Sequence, residues 1–182
     1  MYREQTPRER GVLLAHTMRE QLYGRGAYKE LHDLPQWLNW QYQLINGELK
    51  KVPINPRTGH NGSTVNPRTW GTLPQALKRV EFGKVEGIGI VVTQNDPYCI
   101  VDIDGSADRQ KRIITSALGL RVVKLLDTIT EFSPNNGLHM VVELGKPLPE
   151  AVKSDVELYY TERYMTVTTD LIPGSPLSIA TR

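Results

Sequence analysis

Residues 98–105 read Tyr-Cys-Ile-Val-Asp-Ile-Asp-Gly. On an extended strand successive side chains point to opposite faces, so Asp102 and Asp104 project together while Val101 and Ile103 pack on the other side. Two carboxylates one pleat apart repel each other and are costly to bury. A divalent cation between them reverses that penalty, and hard oxygen ligands suit Mg²⁺ or Mn²⁺. Paired ions can activate an attacking hydroxyl and stabilise a leaving pyrophosphate. The same two residues can equally end a strand and cap a helix starting near Ala107.

Working outward, Gly87 to Val92 reads as a second strand, joined to the first through Asn95-Asp96-Pro97, most simply as an antiparallel pair. Residues 107–126 carry helical spacing, with a break at Gly119. Thr128 to Phe132 and Gly137 to Glu143 form a strand pair around Ser133-Pro134-Asn135-Asn136, and Asp155 to Tyr160 with Arg163 to Thr168 reads as a last hairpin. Upstream, Pro35 opens a unit in which the aromatic-rich stretch from Trp37 to Leu44 turns at Asn46-Gly47 and returns as Lys51-Val52-Pro53-Ile54. Residues 55–67 are loop by composition, and Thr72 caps a short helix to about Val80. Residues 1–33, with Val12, Leu13, Leu14, Met18 and Leu22 at helical spacing, read as a peripheral helix and linker. The expected organisation is α+β with a mainly antiparallel sheet: a helical extension over 1–34, a catalytic domain over 35–172, and a tail over 173–182 leading to further domains of a longer protein.

The composition bounds the classes that remain. A chain of 182 residues, 39% hydrophobic and 23% charged, suits one globular domain with a real core. No apolar run approaches the roughly 18–20 residues that span a bilayer, and the polar, charged start is unlike a secretory signal. Cys99 is the single cysteine, so neither an internal disulfide nor a zinc cluster is expected, and the chain reads as cytoplasmic. Net charge is only +2, yet it is unevenly spread. From Leu49 to Val80 stand Lys50, Lys51, Arg57, Arg68, Lys78 and Arg79 with no carboxylate, whereas the stretch around Asp96, Asp102, Asp104 and Asp108 is acidic. A basic surface beside clustered carboxylates suits a polyanion held next to divalent metal.

Two further segments carry chemistry. The turn after Ser133 can present consecutive backbone N–H groups to an anion. His139, on the opposite face from Leu138 and Met140, can donate to a triphosphate oxygen or sit as a hydrogen-bonded, half-buried histidine. Asp155 and Glu157 share a face, so either can add a third carboxylate, and Arg163 offers the guanidinium fork that matches phosphate. The same segment reads equally as an exposed hairpin with cross-strand ion pairs.

Taken in order, these segments resemble the archaeo-eukaryotic primase superfamily, and more narrowly the primase–polymerase branch of phages, plasmids and other mobile elements. Trp40, the run from Lys51 to Gly59, Asn66-Pro67-Arg68-Thr69-Trp70 and the run from Gly87 to Thr93 match that branch too, so the resemblance covers about residues 35–170. It implies an active site on a sheet related to the RNA-recognition type, flanked by helices and a smaller N-terminal α/β module. It implies that Asp102, Asp104 and Glu157, the last in preference to Asp155, hold Mg²⁺ or Mn²⁺ as catalytic acids. Ser133, His139 and Arg163 would meet the nucleotide's phosphates, and Lys51 would hold nucleotide or template. The implied activity is template-dependent nucleotidyl transfer, with single-stranded DNA, NTPs or dNTPs and a fused or associated helicase as partners. The loop after Ser133 is shorter than the Ser-Pro-Ser-Gly-x-Gly-x-His form of many relatives and holds the neutral Asn135 and Asn136.

Two rivals are weaker. A metal-dependent nuclease or replication-initiator endonuclease can also use clustered carboxylates and histidine, but a nicking initiator of the two-histidine type needs a His-x-His pair with a tyrosine nucleophile, and His16, His32, His60 and His139 lie far apart. An inactive single-stranded nucleic-acid-binding module gains nothing from paired negative charge beside phosphates.

Overall fold

Thr6 and Thr72 each start a helix by a reciprocal device: the threonine side chain accepts a backbone N–H three residues on, and the side chain of that residue (Glu9 or Gln75) accepts the threonine's own N–H. The computed structural model describes residues 4–146 and 154–182. In chain order come α1 (Pro7–Arg19), continued by a wider turn over Glu20–Gly24, then β1 (Trp37–Ile45), β2 (Glu48–Ile54), α2 (Leu73–Glu81), β3 (Gly87–Val92) and β4 (Tyr98–Ile103). The short strands β5 (Ala107–Asp108) and β6 (Ile113–Ile114) precede α3 (Ala117–Leu126), and β7 (Thr130–Phe132), β8 (Leu138–Glu143), β9 (Glu157–Tyr159), β10 (Arg163–Val167) and β11 (Ala180–Thr181) complete the order.

The architecture is α+β, as expected. One sheet has the order β10-β3-β1-β2, and a second has the order β11-β8-β4-β9 with β7 also on β8. All pairings are antiparallel except β11 on β8. The β1–β2 hairpin turns where expected, with Asn46 and Gly47 both at positive φ (53° and 81°), as a two-residue turn of this twist requires.

Three expectations for residues 87–168 are corrected. First, β3 and β4 do not pair with each other. β3 is buried along its whole length and takes β1 and β10 as neighbours, while β4 takes β8 and β9. Between them Asp96 accepts from the Thr93 N–H and hydroxyl and from the Gln36 amide, turning the chain from one sheet into the other. Second, β9 and β10 are not a hairpin: β9 joins β4 and β10 joins β3, so this short link is a strap between sheets. Third, residues 107–114 form the β5–β6 hairpin rather than helix, because Arg109 and Arg112 both reach Asp170, at 2.7 and 2.6 Å. Helix α3 starts only at Ser116, which caps the Gly119 N–H, so Gly119 lies inside the helix.

The main core joins both sheets. Ala15, Met18 and Leu22, then Leu73, Ala76, Leu77 and Val80, pack on Trp37, Ile88 and Ile90 and run on to Ile100, Ile129 and Val141 of the second sheet. Tyr28 and Leu31 are buried there too, so the N-terminal segment is central rather than peripheral. The opposite face of the second sheet (Val101, Ile103, Phe132, Leu138, Met140) packs on Val122, Val123 and Leu126 of α3.

Helix α1 lies against the end of α2 so closely that an added Cβ on Gly11 would stand 2.4 Å from the Val80 carbonyl and 2.8 Å from the Gly83 Cα. Gly11→Ala is therefore expected to destabilise the fold by about 1–3 kcal/mol through overpacking. Thermal denaturation checks this, as a Tm lower by about 2–4 °C per kcal/mol in a chain of this size.

Candidate active site

Register places four ionisable side chains in one row across the second sheet. Glu131 on β7 pairs with His139 on β8, His139 with Asp102 on β4, and Asp102 with Glu157 on β9. Directly opposed residues of antiparallel strands share a face, so Glu131, His139, Asp102 and Glu157 project together. Asp104 lies beyond the end of β4, in the turn that follows Ile103, so the strand alternation expected to set it beside Asp102 stops one residue short. The neighbouring row on that face is Val141, Ile100 and Tyr159, which belong to the core. The ionisable row thus marks where the core ends and a cleft begins.

His139 is held from the other sheet. Its Nδ1 lies 2.9 Å from the Thr166 carbonyl of β10. A carbonyl only accepts, so Nδ1 carries the hydrogen and Nε2 faces Asp102 Oδ1, 3.8 Å away. Glu131 is 0% exposed; its two oxygens accept the Thr168 and Thr169 N–H groups, each at 2.9 Å, and Oε1 lies 3.5 Å from His139 Nδ1. Tyr28 is buried nearby; burial first, and then the charge of Glu131, push its phenol well above the ordinary range.

Asp102 has the opposite character. Its Oδ1 is buried without a hydrogen-bond partner. Burial raises its pKa, Asp104 and Glu157 raise it further, and His139 and Arg163 oppose the shift. Lys51 of β2 and Arg163 of β10 line the same cleft of about 310 Å³ as Asp102 and His139. Burial lowers the Lys51 pKa, while Asp102 and Asp104 act to keep it charged. The Arg163 guanidinium lies over the Tyr159 ring, 4.2 Å from its centre. The Tyr159 hydroxyl donates to Glu157, and burial with that bond pushes the phenol up to about 12. Tyr164 donates to the Lys51 carbonyl at 3.2 Å, tying β10 to β2 across the first sheet.

The expected residues therefore divide. Lys51, Asp102, His139 and Arg163 share one cleft, and Asp104, Asp155 and Glu157 line an adjoining one. Glu157, not Asp155, is in register with Asp102. Ser133 lines neither: it is buried, and its hydroxyl accepts the Gly137 N–H at 2.9 Å, closing the β7–β8 turn. Asn135 accepts from the Tyr42 hydroxyl and Asn136 from the Arg109 N–H, so the neutral loop residues anchor the turn to its neighbours.

Among the described residues, no three histidine, cysteine or carboxylate groups converge as a ready-made metal site. Mg²⁺ commonly takes only one or two carboxylates and completes its shell with water and substrate phosphate. The hard oxygens of Asp102, Asp104 and Glu157 fit that use, and the buried, unpartnered Asp102 Oδ1 is the atom that gains most from a cation.

Glu131 is the residue that the sequence reading missed. With Ser133 paired to Gly137 around the turn, counting back places Glu131 opposite His139; a carboxylate between Thr130 and Phe132 at that register was the available signal.

No protein-family model matches the chain. The DNA primase-polymerase of Nitratiruptor phage NrS-1 is 32% identical to it over 157 residues, covering 81% of this chain and 21% of that protein. The chain thus spans about a fifth of the length of this relative. No described helix is long and apolar enough to cross a membrane.

The two central acids are expected to respond with opposite sign to neutral isosteres. Asp102→Asn removes the charge of a half-buried carboxylate whose Oδ1 has no hydrogen-bond partner and should raise Tm at pH 7 in chelator by roughly 2–4 °C, the shift that about 1 kcal/mol produces at this size. Because the folded-state pKa of Asp102 is raised, its ionised form is what the fold disfavours. The difference should therefore shrink as pH falls through that raised pKa towards the ordinary carboxylate range near about 4. Glu131→Gln leaves the Thr168 or Thr169 N–H facing an amide NH₂ and should lower stability by about 1–3 kcal/mol. Parallel melts of the three proteins from pH 4 to 8 test both signs.

Proposed function

This chain belongs to the primase–polymerase family, and on that premise we propose that it is the catalytic domain of a template-dependent nucleotidyltransferase. It joins NTPs or dNTPs into primers, or adds them to existing strands, in the replication of a phage or other mobile element. The observation that carries this reading is the charge arrangement of the cleft: Asp102, a half-buried carboxylate whose Oδ1 lacks a hydrogen-bond partner, shares it with Lys51 and Arg163, with His139 between the sheets.

A triphosphate entering this cleft meets two cations carried on strands that are themselves anchored. Arg163 is held over Tyr159, and the Lys51 backbone is held by Tyr164. Such preorganised positive charge stabilises phosphoryl transfer without rearrangement at the moment of reaction. With Nδ1 committed to Thr166, a proton held at His139 Nε2 would be shared between Asp102 and a phosphate oxygen. Ser133 acts indirectly, by closing the turn that carries His139 into the next strand. Asp102, Asp104 and Glu157 would hold one or two Mg²⁺ or Mn²⁺ ions, which supply charge neutralisation at an attacking 3′-hydroxyl and a leaving pyrophosphate. The basic residues from Lys50 to Arg79 then serve the phosphates of a single-stranded DNA template. A helicase, fused or associated, is the partner that fits a priming role.

The test is incubation with single-stranded template, primed and unprimed, with both nucleotide types and Mn²⁺. Template-dependent product is expected, reduced at least about 100-fold in Asp102→Asn/Asp104→Asn, since each ten-fold step corresponds to about 1.4 kcal/mol of transition-state stabilisation. Mn²⁺ should also raise the Tm of the native chain but not of that variant. Undiminished synthesis by the double variant would defeat the assignment, and cleavage of labelled DNA without nucleotides would replace it with a nuclease.

A further inference from the structure

The β1–β2 hairpin leaves the first sheet beyond Trp40. β3 pairs with β1 only from Trp37 to Trp40, so the outer half of the hairpin is a two-stranded ribbon. Its cross-strand pairs are Tyr42 with Lys51 and Leu44 with Leu49, which places these four side chains on one face. On the other face lie Gln43 with Lys50 and Ile45 with Glu48, where Lys50 and Glu48 form an ion pair at 3.2 Å.

The first of these faces should be the covered one, since it carries the larger apolar groups. It is open instead: Leu44 is 73% exposed, Leu49 65% and Tyr42 38%. Large apolar side chains gathered in register on a protruding ribbon mark a surface built to be covered by something else. This one is continuous with the catalytic cleft. Lys51 lines the cleft from the same ribbon face, and the Tyr42 hydroxyl touches Asn135 of the β7–β8 turn.

We propose that this ribbon face is a platform on which the bases of the single-stranded template stack beside the cleft, with Tyr42, Leu44 and Leu49 against the bases and Lys51, on the same face, near the phosphates. The occupant follows from charge complementarity and chemistry. The chain from Leu49 to Val80 is basic without a carboxylate, which suits a polyanion. Unpaired bases offer flat apolar faces that stack on aromatic and apolar side chains irrespective of sequence. The proposal rests on the strand-synthesis reading of the cleft and adds to it the element that receives the template.

The test uses Leu44→Ser/Leu49→Ser, two exposed positions at which substitution leaves the core intact. Fluorescence anisotropy would compare three probes: a thymidine strand of about 12 nucleotides, an abasic strand of the same length, and a fluorescent nucleoside triphosphate with Mn²⁺. The variant should bind the thymidine strand about ten-fold more weakly than the native chain, as stacking losses of this kind imply. Both proteins should bind the abasic strand equally, and triphosphate affinity should be retained. Equal affinity of the two proteins for the thymidine strand would overturn the platform. So would sedimentation showing that the leucine pair holds two copies of the native chain together. A native chain that shows the base-dependent difference yet makes no strand would instead overturn the nucleotidyl-transfer reading and leave the platform standing.

Discussion

The antiparallel seam between β4 and β8 is the constraint from which the site follows. Once Ile100 stands opposite Val141, the next row must bring Asp102 opposite His139, because a pleated ladder advances two residues at a time on each face. A slip of one residue would turn the carboxylates into the Val101, Ile103 and Met140 core against α3. Burial of that apolar face therefore holds the charged row in place. The hydrophobic effect sets the register, and the register delivers the electrostatics.

Two carboxylates in this row show how alike groups acquire different work. Glu131 is fully enclosed but has both oxygens satisfied by Thr168 and Thr169, so its negative charge is locked into the joint between the sheets. Asp102 is less enclosed, yet its buried oxygen has no partner. The first group is an anchor. The second leaves an oxygen unsatisfied inside the fold, the condition under which a cation or a charged ligand would bring the largest gain. The strap from β9 to β10 joins these roles, since it ties Glu157 in one sheet to Arg163 in the other.

The positive wall is assembled from the first sheet and could not arise from the second alone. Lys51 comes from the far strand of the order β10-β3-β1-β2, and Tyr164 spans to its backbone carbonyl from the near one. Helices α1 and α2, joined by the tight Gly11–Gly83 approach, pack on that sheet and steady it against the second. The N-terminal segment, far from the chemistry, contributes Tyr28 directly behind Glu131, so core and site are one structure.

Much of this was legible in the chain itself. The alternation that turns Asp102 away from Val101 and Ile103, the Asn46-Gly47 turn, the Thr72 cap, and the β7–β8 pair around Ser133 all depend on neighbours a few residues apart, and local stereochemistry dictates them. So does the position of His139 on the polar face of its strand. What the sequence could not decide is which strand edges meet. Only the folded core determined that β3 and β4 part company, that β9 and β10 enter different sheets, and that Arg109 and Arg112 leave a helical pattern to hold Asp170. These outcomes depend on long-range burial and ion pairing, which override local propensity and have no signature within a short window of residues. For the same reason Glu131 passed unnoticed: a lone carboxylate acquires meaning only when another strand sets a histidine beside it.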